Sequence, residues 1–181
     1  LIWLDDESII SDIGTKISLE RYLKSYQFDV VKKQKLNEVH QSYKKYTKLI
    51  YQELSKAGRW QQTCQLISKL NAHTAKPKLS DLKNFTLDYD EESFLTHLSY
   101  ETDLFELTAK SIEWQTEQDR AFIAGGWLEY LTASLLVAEN IRDISLSVEI
   151  AKSTQRVHAK THQEIDVMAM QQQQLLIIEC K

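Results

Sequence analysis

The sequence predicts a mixed α/β protein, and three observations support this fold class. Apolar residues recur at helical spacing over several stretches, while short apolar runs rich in Ile, Leu and Val are typical of strands. Four Gly and one Pro among 181 residues leave little room for long linkers. With 43% apolar residues, the chain can bury a substantial core.

The N-terminal residues predict a strand, a helix and a second strand. The apolar run Leu1–Leu4 is typical of a short buried strand. Ile17–Tyr26 has helical spacing, with Ser18 as its expected N-cap. Phe28–Val31 predicts another short strand, and the lysines that follow as far as Lys35 predict an exposed polar connection.

The middle of the chain predicts helices followed by a hairpin. The predicted helices cover residues 38–56, 60–70 and 90–100, and the predicted strands cover residues 104–107 and 112–114. Gly58 is a natural stop between the first two helices, and Asp90 is the expected N-cap of the third. This order of elements is typical of a small winged-helix module.

The C-terminal part predicts one long helix and three strands. The helix covers residues 117–139, although Gly125 and Gly126 each cost about 1 kcal/mol relative to Ala inside a helix. We therefore expect close backbone packing at these glycines. The strands cover residues 146–150, 165–170 and 175–181, and the glutamines at 171–174 join the last two.

Composition argues against several classes of protein. A net charge of −4 excludes a generally basic surface, so contacts with nucleic acid must come from local basic patches or a bound cation. No run of 18 apolar residues occurs, and we therefore expect no membrane span. Cys64 and Cys180 are too few for a disulfide framework and predict a reduced, cytoplasmic setting.

The residues that indicate chemistry lie in the last two predicted strands. If these strands form a hairpin around the glutamines, Met170 faces Leu175, and counting outward places Asp166 opposite Glu179. Facing residues in a hairpin project to the same side of a sheet, and strand alternation adds Lys181 to that side. Two carboxylates and an amine are then expected to converge on one patch.

Such a patch is suited to a metal ion. The carboxylates of Asp166 and Glu179 repel each other unless a divalent cation bridges them, and hard oxygen ligands suit Mg²⁺ or Mn²⁺. The backbone carbonyl of Cys180, whose side chain is expected to face away, is a further candidate ligand. Lys181 is expected to orient a metal-bound water or to stabilise developing charge, and Glu129 on the preceding helix offers another carboxylate. Hydrolysis of a phosphodiester needs these groups.

Two less specific interpretations stay open at this stage. An Asp followed by Glu-x-Lys also arises by chance at the polar ends of strands. Glu129 is equally compatible with an ordinary exposed glutamate on a helix. The apolar run before Glu179 and the matching position of Asp166 favour an active site.

Three motifs together resemble a known family. They are Gly-Gly-Trp-Leu-Glu at 125–129, Glu-Ile-Asp-Val at 164–167 and Ile-Ile-Glu-Cys-Lys at 177–181. They are similar to the CRISPR-associated ancillary nucleases, in which a CARF sensor domain is joined to a PD-(D/E)xK nuclease domain. The resemblance implies the end of a Rossmann-like CARF domain at 1–35, a winged-helix-like helical linker at 36–115 and a restriction-endonuclease-like core at 116–181, so that the chain is an incomplete one.

The resemblance also implies an activity. Such proteins bind cyclic oligoadenylate made during type III CRISPR defence, with cyclic tetra-adenylate as the expected form, and as homodimers cut DNA or RNA with Mn²⁺ or Mg²⁺. It implies that Asp166, Glu179 and Lys181 are catalytic and that Glu129 acts on the metal directly or through a water. Gln163 departs from the pattern, because asparagine is expected before the Glu-x-Asp motif.

Two other functions are compatible with the sequence. One is a CARF and winged-helix regulator that binds DNA without cutting it. The other is a restriction or repair nuclease with the same core. The intact set of Asp166, Glu179 and Lys181 favours a nuclease over a regulator.

Overall fold

A computed structural model describes residues 17–72, 79–81, 87–108, 111–153 and 162–180. The helices in these ranges are α1 (Leu19–Ser25), α2 (Gln41–Leu54), α3 (Trp60–Ala72), α4 (Tyr89–Thr102), α5 (Glu117–Ala121) and α6 (Trp127–Ala138). The strands are β1 (Phe28–Lys35), β2 (Leu79–Asp81), β3 (Phe105–Leu107), β4 (Ser111–Trp114), β5 (Arg142–Lys152), β6 (Gln163–Gln171) and β7 (Gln174–Ile178). The mixed α/β fold class is confirmed, while the predicted strand Leu1–Leu4 lies outside the described residues.

The larger sheet has four antiparallel strands in the order β1-β5-β6-β7. β1 extends to Lys35, so the prediction of an exposed connection after Val31 was wrong. Lys32 pairs with Glu149 of β5 at 3.1 Å. Among the described residues β1 is an edge strand, and lysines suit such a strand because their charge discourages pairing with another chain.

The position of β1 bears on the predicted domain boundary between residues 35 and 36. β1 pairs with β5, which belongs to the predicted nuclease core. α1 also covers this sheet, since Leu19 and Leu23 are buried beside Val148 and Ile165. The three-domain division stays a prediction, but the sheet crosses its first boundary.

Helix α1 begins as the sequence predicts. The Ser18 hydroxyl accepts a hydrogen bond from the backbone N–H of Arg21 at 3.4 Å. The backbone N–H of Leu19 donates to the carboxylate of Asp143 on β5. The start of α1 is therefore fixed to the sheet as well as capped locally.

The central helices and hairpin also form, with one added strand. β3 and β4 pair as the predicted hairpin, and β2 joins the outer side of β4 to give a sheet of order β2-β4-β3. α2 ends before Gly58, which has a left-handed φ of 77°. The three-residue strand β2 was missed because so short a segment carries no periodic signal.

The N-cap of α4 was predicted wrongly. Asp88, rather than Asp90, caps this helix, since its carboxylate accepts from the N–H of Glu91 while the Glu91 carboxylate accepts from the N–H of Asp88. This reciprocal capping box satisfies two of the free donors at the helix start. Asp90 instead pairs with Arg59 at 2.8 Å.

Two hydrophobic clusters lie against the larger sheet. The first, the α6-side cluster, joins the central helices to the sheet and includes Tyr46, Leu95, Phe122, Trp127, Ala133, Leu146 and Val167. The second, the α1-side cluster, includes Leu19, Leu23, Val148, Ile165 and Met168. Neighbouring Val167 and Met168 belong to different clusters, which places the clusters on opposite faces of the sheet.

The long helix predicted over 117–139 is present with an irregular middle. A π-helical turn, Phe122–Gly126, joins α5 to α6. A Cβ added to Gly126 would lie 3.1 Å from the Phe122 ring, whereas one added to Gly125 would meet nothing within 4 Å in the described part of the chain. The expected close packing therefore occurs at Gly126 but not at Gly125.

This helical stretch also bears on the membrane prediction. By length and composition alone, Glu117–Ala138, with 22 residues, is apolar enough to cross a membrane. Its second half, α6, packs against β5 and β6, and its first turn carries Glu117 and Asp119. These contacts are those of a helix that covers a sheet, and the absence of a membrane span stays a prediction.

Candidate active site

The hairpin that carries the predicted site has the expected register. Met170 pairs with Leu175, as counting from the glutamine turn predicts. Gln172 and Gln173 form the turn with φ values of 48° and 65°, and two positive φ values are characteristic of a tight two-residue hairpin turn. Continuing the register places Asp166 level with Glu179, which directly follows the last residue of β7.

The strand alternation used to predict the site does not hold along the whole of β5 and β6. Leu146 pairs with Val167, and both belong to the α6-side cluster. Val148 pairs with Ile165, and both belong to the α1-side cluster. In a regular strand, residues two apart project to the same face. The two strands therefore turn together at the residues between these pairs, Ser147 and Asp166.

Ser147 shows the backbone feature that accompanies this turn. Its φ of 45° lies in the left-handed region, which non-glycine residues rarely adopt. Its hydroxyl donates a hydrogen bond to Oε2 of Glu129 at 3.0 Å. The turn of β5 thus brings this side chain to the helix that carries Glu129.

Asp166 is held at the end of β7. Its Oδ2 accepts a hydrogen bond from the backbone N–H of Cys180 at 2.6 Å. The Cys180 sulfur lies 3.7 Å from Oγ1 of Thr132 on α6. Burial raises the pKa of the Cys180 thiol, and the charges of nearby carboxylates raise it further, although the contact with Thr132 opposes this. Cys180 is therefore held as a neutral thiol packed against α6.

Glu129 is half-buried on α6 and is surrounded by negative charge. Burial raises the pKa of its carboxyl, and the charges of Asp166, Glu164 and Glu179 raise it further, while the Ser147 hydrogen bond partly opposes them. The four carboxylates are therefore close enough to interact. This environment differs from that of an ordinary exposed helical glutamate, the alternative that the sequence left open.

Glu179 is exposed at the edge of the sheet. It also lines a cavity of about 450 Å³ between α1 and the hairpin, together with Tyr22, Tyr26 and Ile177. Lys181 lies outside the described residues. That Asp166, Glu179 and Lys181 project to one side therefore stays a prediction.

The donor chemistry of these residues fits a divalent cation. Carboxylate oxygens are the ligands that Mg²⁺ and Mn²⁺ prefer, and burial together with the charges of the neighbouring carboxylates raises the pKa of Glu129. Among the described residues, however, no three His, Cys, Asp or Glu side chains converge closely enough to hold a metal ion. The carboxylates thus form an electrostatic cluster that is more open than a closed ligand set.

Sequence reasoning missed Ser147 and Thr132. Ser147 lies in an alternating strand segment, and its type gives no sign of a left-handed backbone. Thr132 lies one helical turn after Glu129 on α6 but carries no motif. Only the packing of α6 against the hairpin brings these side chains to the predicted site.

Comparison with known families bears on the C-terminal part. Residues 116–181 match the family model described as "Card1-like, endonuclease domain". This range contains Glu129, Asp166, Glu179 and Lys181. The match supports the predicted relationship of this part of the chain to CRISPR-associated nucleases. No curated protein matches the sequence.

Two solved structures share the fold. Protein VC1899 from Vibrio cholerae matches with a TM-score of 0.70 and 21% identity, over 92% of this chain and 44% of that one. Can2 from Sulfobacillus thermosulfidooxidans in complex with cyclic tetra-adenylate matches with a TM-score of 0.62 and 23% identity, over 91% of this chain and 40% of that one. The chain thus spans less than half the length of either protein.

Proposed function

We propose that the chain is part of a metal-dependent endonuclease that hydrolyses phosphodiester bonds of DNA or RNA. The observation that carries this proposal is the cluster of Glu129, Asp166, Glu164 and Glu179 at the end of the hairpin, within the range that matches an endonuclease domain. A half-buried carboxyl whose pKa is raised by burial and by neighbouring carboxylates, as that of Glu129 is, is typical of a functional site. A solvated surface would leave these groups far apart or paired with cations.

We propose that Glu129, Asp166 and Glu179, with the backbone carbonyl of Cys180, hold Mn²⁺ or Mg²⁺, Glu129 directly or through a water. When bound, such a cation polarises a phosphoryl oxygen and lowers the pKa of its water. Within the chain, the N–H of Cys180 restrains the Asp166 carboxylate near the end of β7. We assign to the Lys181 ammonium the role of orienting the attacking water or stabilising developing charge.

We propose that this activity belongs to type III CRISPR antiviral defence in the cytoplasm and is activated by cyclic oligoadenylate. The Card1-like match and the three motifs support the first part. The complex of Can2 with cyclic tetra-adenylate supports cyclic tetra-adenylate as the activator. We further propose a homodimer, because symmetric two-fold assemblies are the commonest oligomers and match a cyclic, symmetric ligand.

The test is incubation of the full-length protein with plasmid DNA and with RNA in the presence of Mn²⁺, with and without cyclic tetra-adenylate. We expect cleavage that requires Mn²⁺, is blocked by EDTA and rises when cyclic tetra-adenylate is added. Cleavage that resists EDTA would exclude the metal mechanism. Absence of cleavage with tight, unaltered DNA binding would favour the non-catalytic regulator instead.

A further inference from the structure

We propose that Ser147 is a positioning residue of this site, which holds the Glu129 carboxylate in the orientation that metal binding requires. This inference rests on the proposed function. Ser147 lies outside the three sequence motifs and contacts Glu129 only because β5 packs under α6. It acts through Glu129 rather than on the substrate.

A hydrogen bond joins Ser147 to Glu129. The Ser147 hydroxyl donates to Oε2 of Glu129 at 3.0 Å, a normal length for such a bond. Ser147 is half-buried, as is Glu129, so water competes less for this contact than at the surface. Among the described residues, this is the hydrogen bond that fixes the orientation of the Glu129 carboxylate.

The backbone of Ser147 is also unusual. Ser147 adopts a φ of 45° within a strand, a conformation that costs free energy for L-residues, though less for Asn and Asp than for Ser. Such outliers persist only where the surrounding structure imposes them, and they cluster at functional sites. Here the outlier coincides with the point where β5 and β6 change faces, level with Asp166.

These two features together assign Ser147 a role that a structural serine lacks. On α6 itself, the Ser134 hydroxyl donates to the backbone carbonyl of Tyr130 one turn earlier. Ser147 instead donates to Oε2 of Glu129, a carboxylate of the proposed metal site. Groups that orient metal ligands from behind change metal affinity or activity about 10- to 100-fold when they are removed.

The test measures Mn²⁺ binding to the full-length protein by electron paramagnetic resonance. Ser147→Gly removes the hydroxyl and relieves the left-handed backbone, so it should fold at least as stably as the wild type. Ser147→Ala removes the hydroxyl but keeps the unfavourable φ. We expect both variants to bind Mn²⁺ about 10- to 100-fold more weakly. Asn140→Gly is the matched control, since Asn140 has a φ of 60° in an exposed turn and should leave the affinity unchanged.

A double-mutant comparison tests whether Ser147 affects metal binding through Glu129 or through the stability of the fold. In a Glu129→Ala background, Ser147→Gly should cause no further loss of Mn²⁺ affinity, because the two residues act as one unit. An additional tenfold loss there would overturn the proposal, as would wild-type affinity in the Ser147→Gly single variant. Failure of the wild-type protein to bind Mn²⁺ at all would reject the proposed function itself, and with it this inference.

Discussion

Two glutamates, Glu53 and Glu129, lie in opposite electrostatic environments in this molecule. Glu53 on α2 is only 4% exposed and accepts hydrogen bonds from Lys56 at 2.6 Å and Arg59 at 3.0 Å. Glu129 on α6 is half-buried, has one neutral donor in Ser147 and faces three other carboxylates.

The two environments shift the pKa values of the carboxyls in opposite directions. Burial alone would raise the pKa of Glu53, but the hydrogen bonds and charges of Lys56 and Arg59 outweigh it and lower the pKa. The pKa of Glu129 is raised by burial and by its neighbours' charges. A carboxylate paired with cations, as Glu53 is, stabilises the fold, whereas a half-buried carboxylate whose pKa is raised by burial and by like charges is typical of a functional site.

The largest expected effect follows from removing carboxylates from the cluster around Glu129. Asp166→Ala and Glu179→Ala should each reduce cleavage by at least about 100-fold, because each removes a proposed metal ligand and with it the activated water. The measurement is single-turnover cleavage by the full-length protein with Mn²⁺ and cyclic tetra-adenylate. Circular dichroism should show an unchanged fold, since both residues lie at the end of the hairpin. Near wild-type cleavage by Asp166→Ala would place the metal elsewhere.

Disrupting the ion pairs of Glu53 should have the opposite effect and change stability rather than cleavage. Arg59→Met removes the hydrogen bonds to Glu53 and Asp90 and should lower the free energy of unfolding, because Glu53 is only 4% exposed and loses one of its two described cationic partners. Cleavage per folded molecule should not change. Chemical denaturation with parallel activity measurements tests this prediction. A stable variant with lost cleavage would show that Arg59 belongs to the site and not to the fold.

The same ion pairs predict how stability depends on pH. Because the pKa of Glu53 in the folded protein lies below its ordinary value of 4.5, its contribution is fully present above pH 4.5 and is lost as the pH falls through the folded value. The difference in stability between wild type and Arg59→Met should therefore shrink on acidification below pH 4.5. Thermal unfolding between pH 3 and pH 7 measures it, and a difference that stays constant over this range would contradict the assignment.

The smallest expected effect concerns the π turn Phe122–Gly126, which joins α5 to α6. Gly125→Ala should raise the free energy of unfolding by about 0.5–1 kcal/mol, since Ala is favoured in helices and its Cβ meets nothing within 4 Å in the described part of the chain. Gly126→Ala should give no such gain, because its Cβ would lie 3.1 Å from the Phe122 ring. Denaturation midpoints of the two variants test this pair, and equal gains would contradict the packing at Gly126.

Local patterns explain how much of this fold the sequence predicted. The hairpin register follows from the two-residue glutamine turn, and the helices α2 and α3 follow from apolar spacing and Gly58. The extension of β1 through its lysines was missed because an edge strand tolerates residues that elsewhere signal a loop. Asp88 was passed over as a cap because Asp90 fits the same local rule, and only the reciprocal bond with Glu91 distinguishes them.

The candidate site was predictable in its residues but not in its arrangement. Asp166, Glu179 and Glu129 stand out through motifs within short segments. Strand alternation predicted the directions of their side chains only for regular strands, whereas β5 and β6 change faces together where Ser147 of β5 has a left-handed φ. No sequence rule links Ser147 to Glu129, because the contact depends on how α6 packs on β5.

Calorimetric titration of Mn²⁺ into the full-length wild type, Asp166→Asn and Arg59→Met tests the proposed metal site most directly. Asn keeps the size of Asp166 but removes its charge, so the account predicts at least a tenfold loss of Mn²⁺ affinity in this variant. Arg59→Met, which disturbs the ion pairs of Glu53 and Asp90, should bind Mn²⁺ as the wild type does. Wild-type affinity in Asp166→Asn would contradict the claim that the carboxylates of Glu129, Asp166 and Glu179 form the metal site.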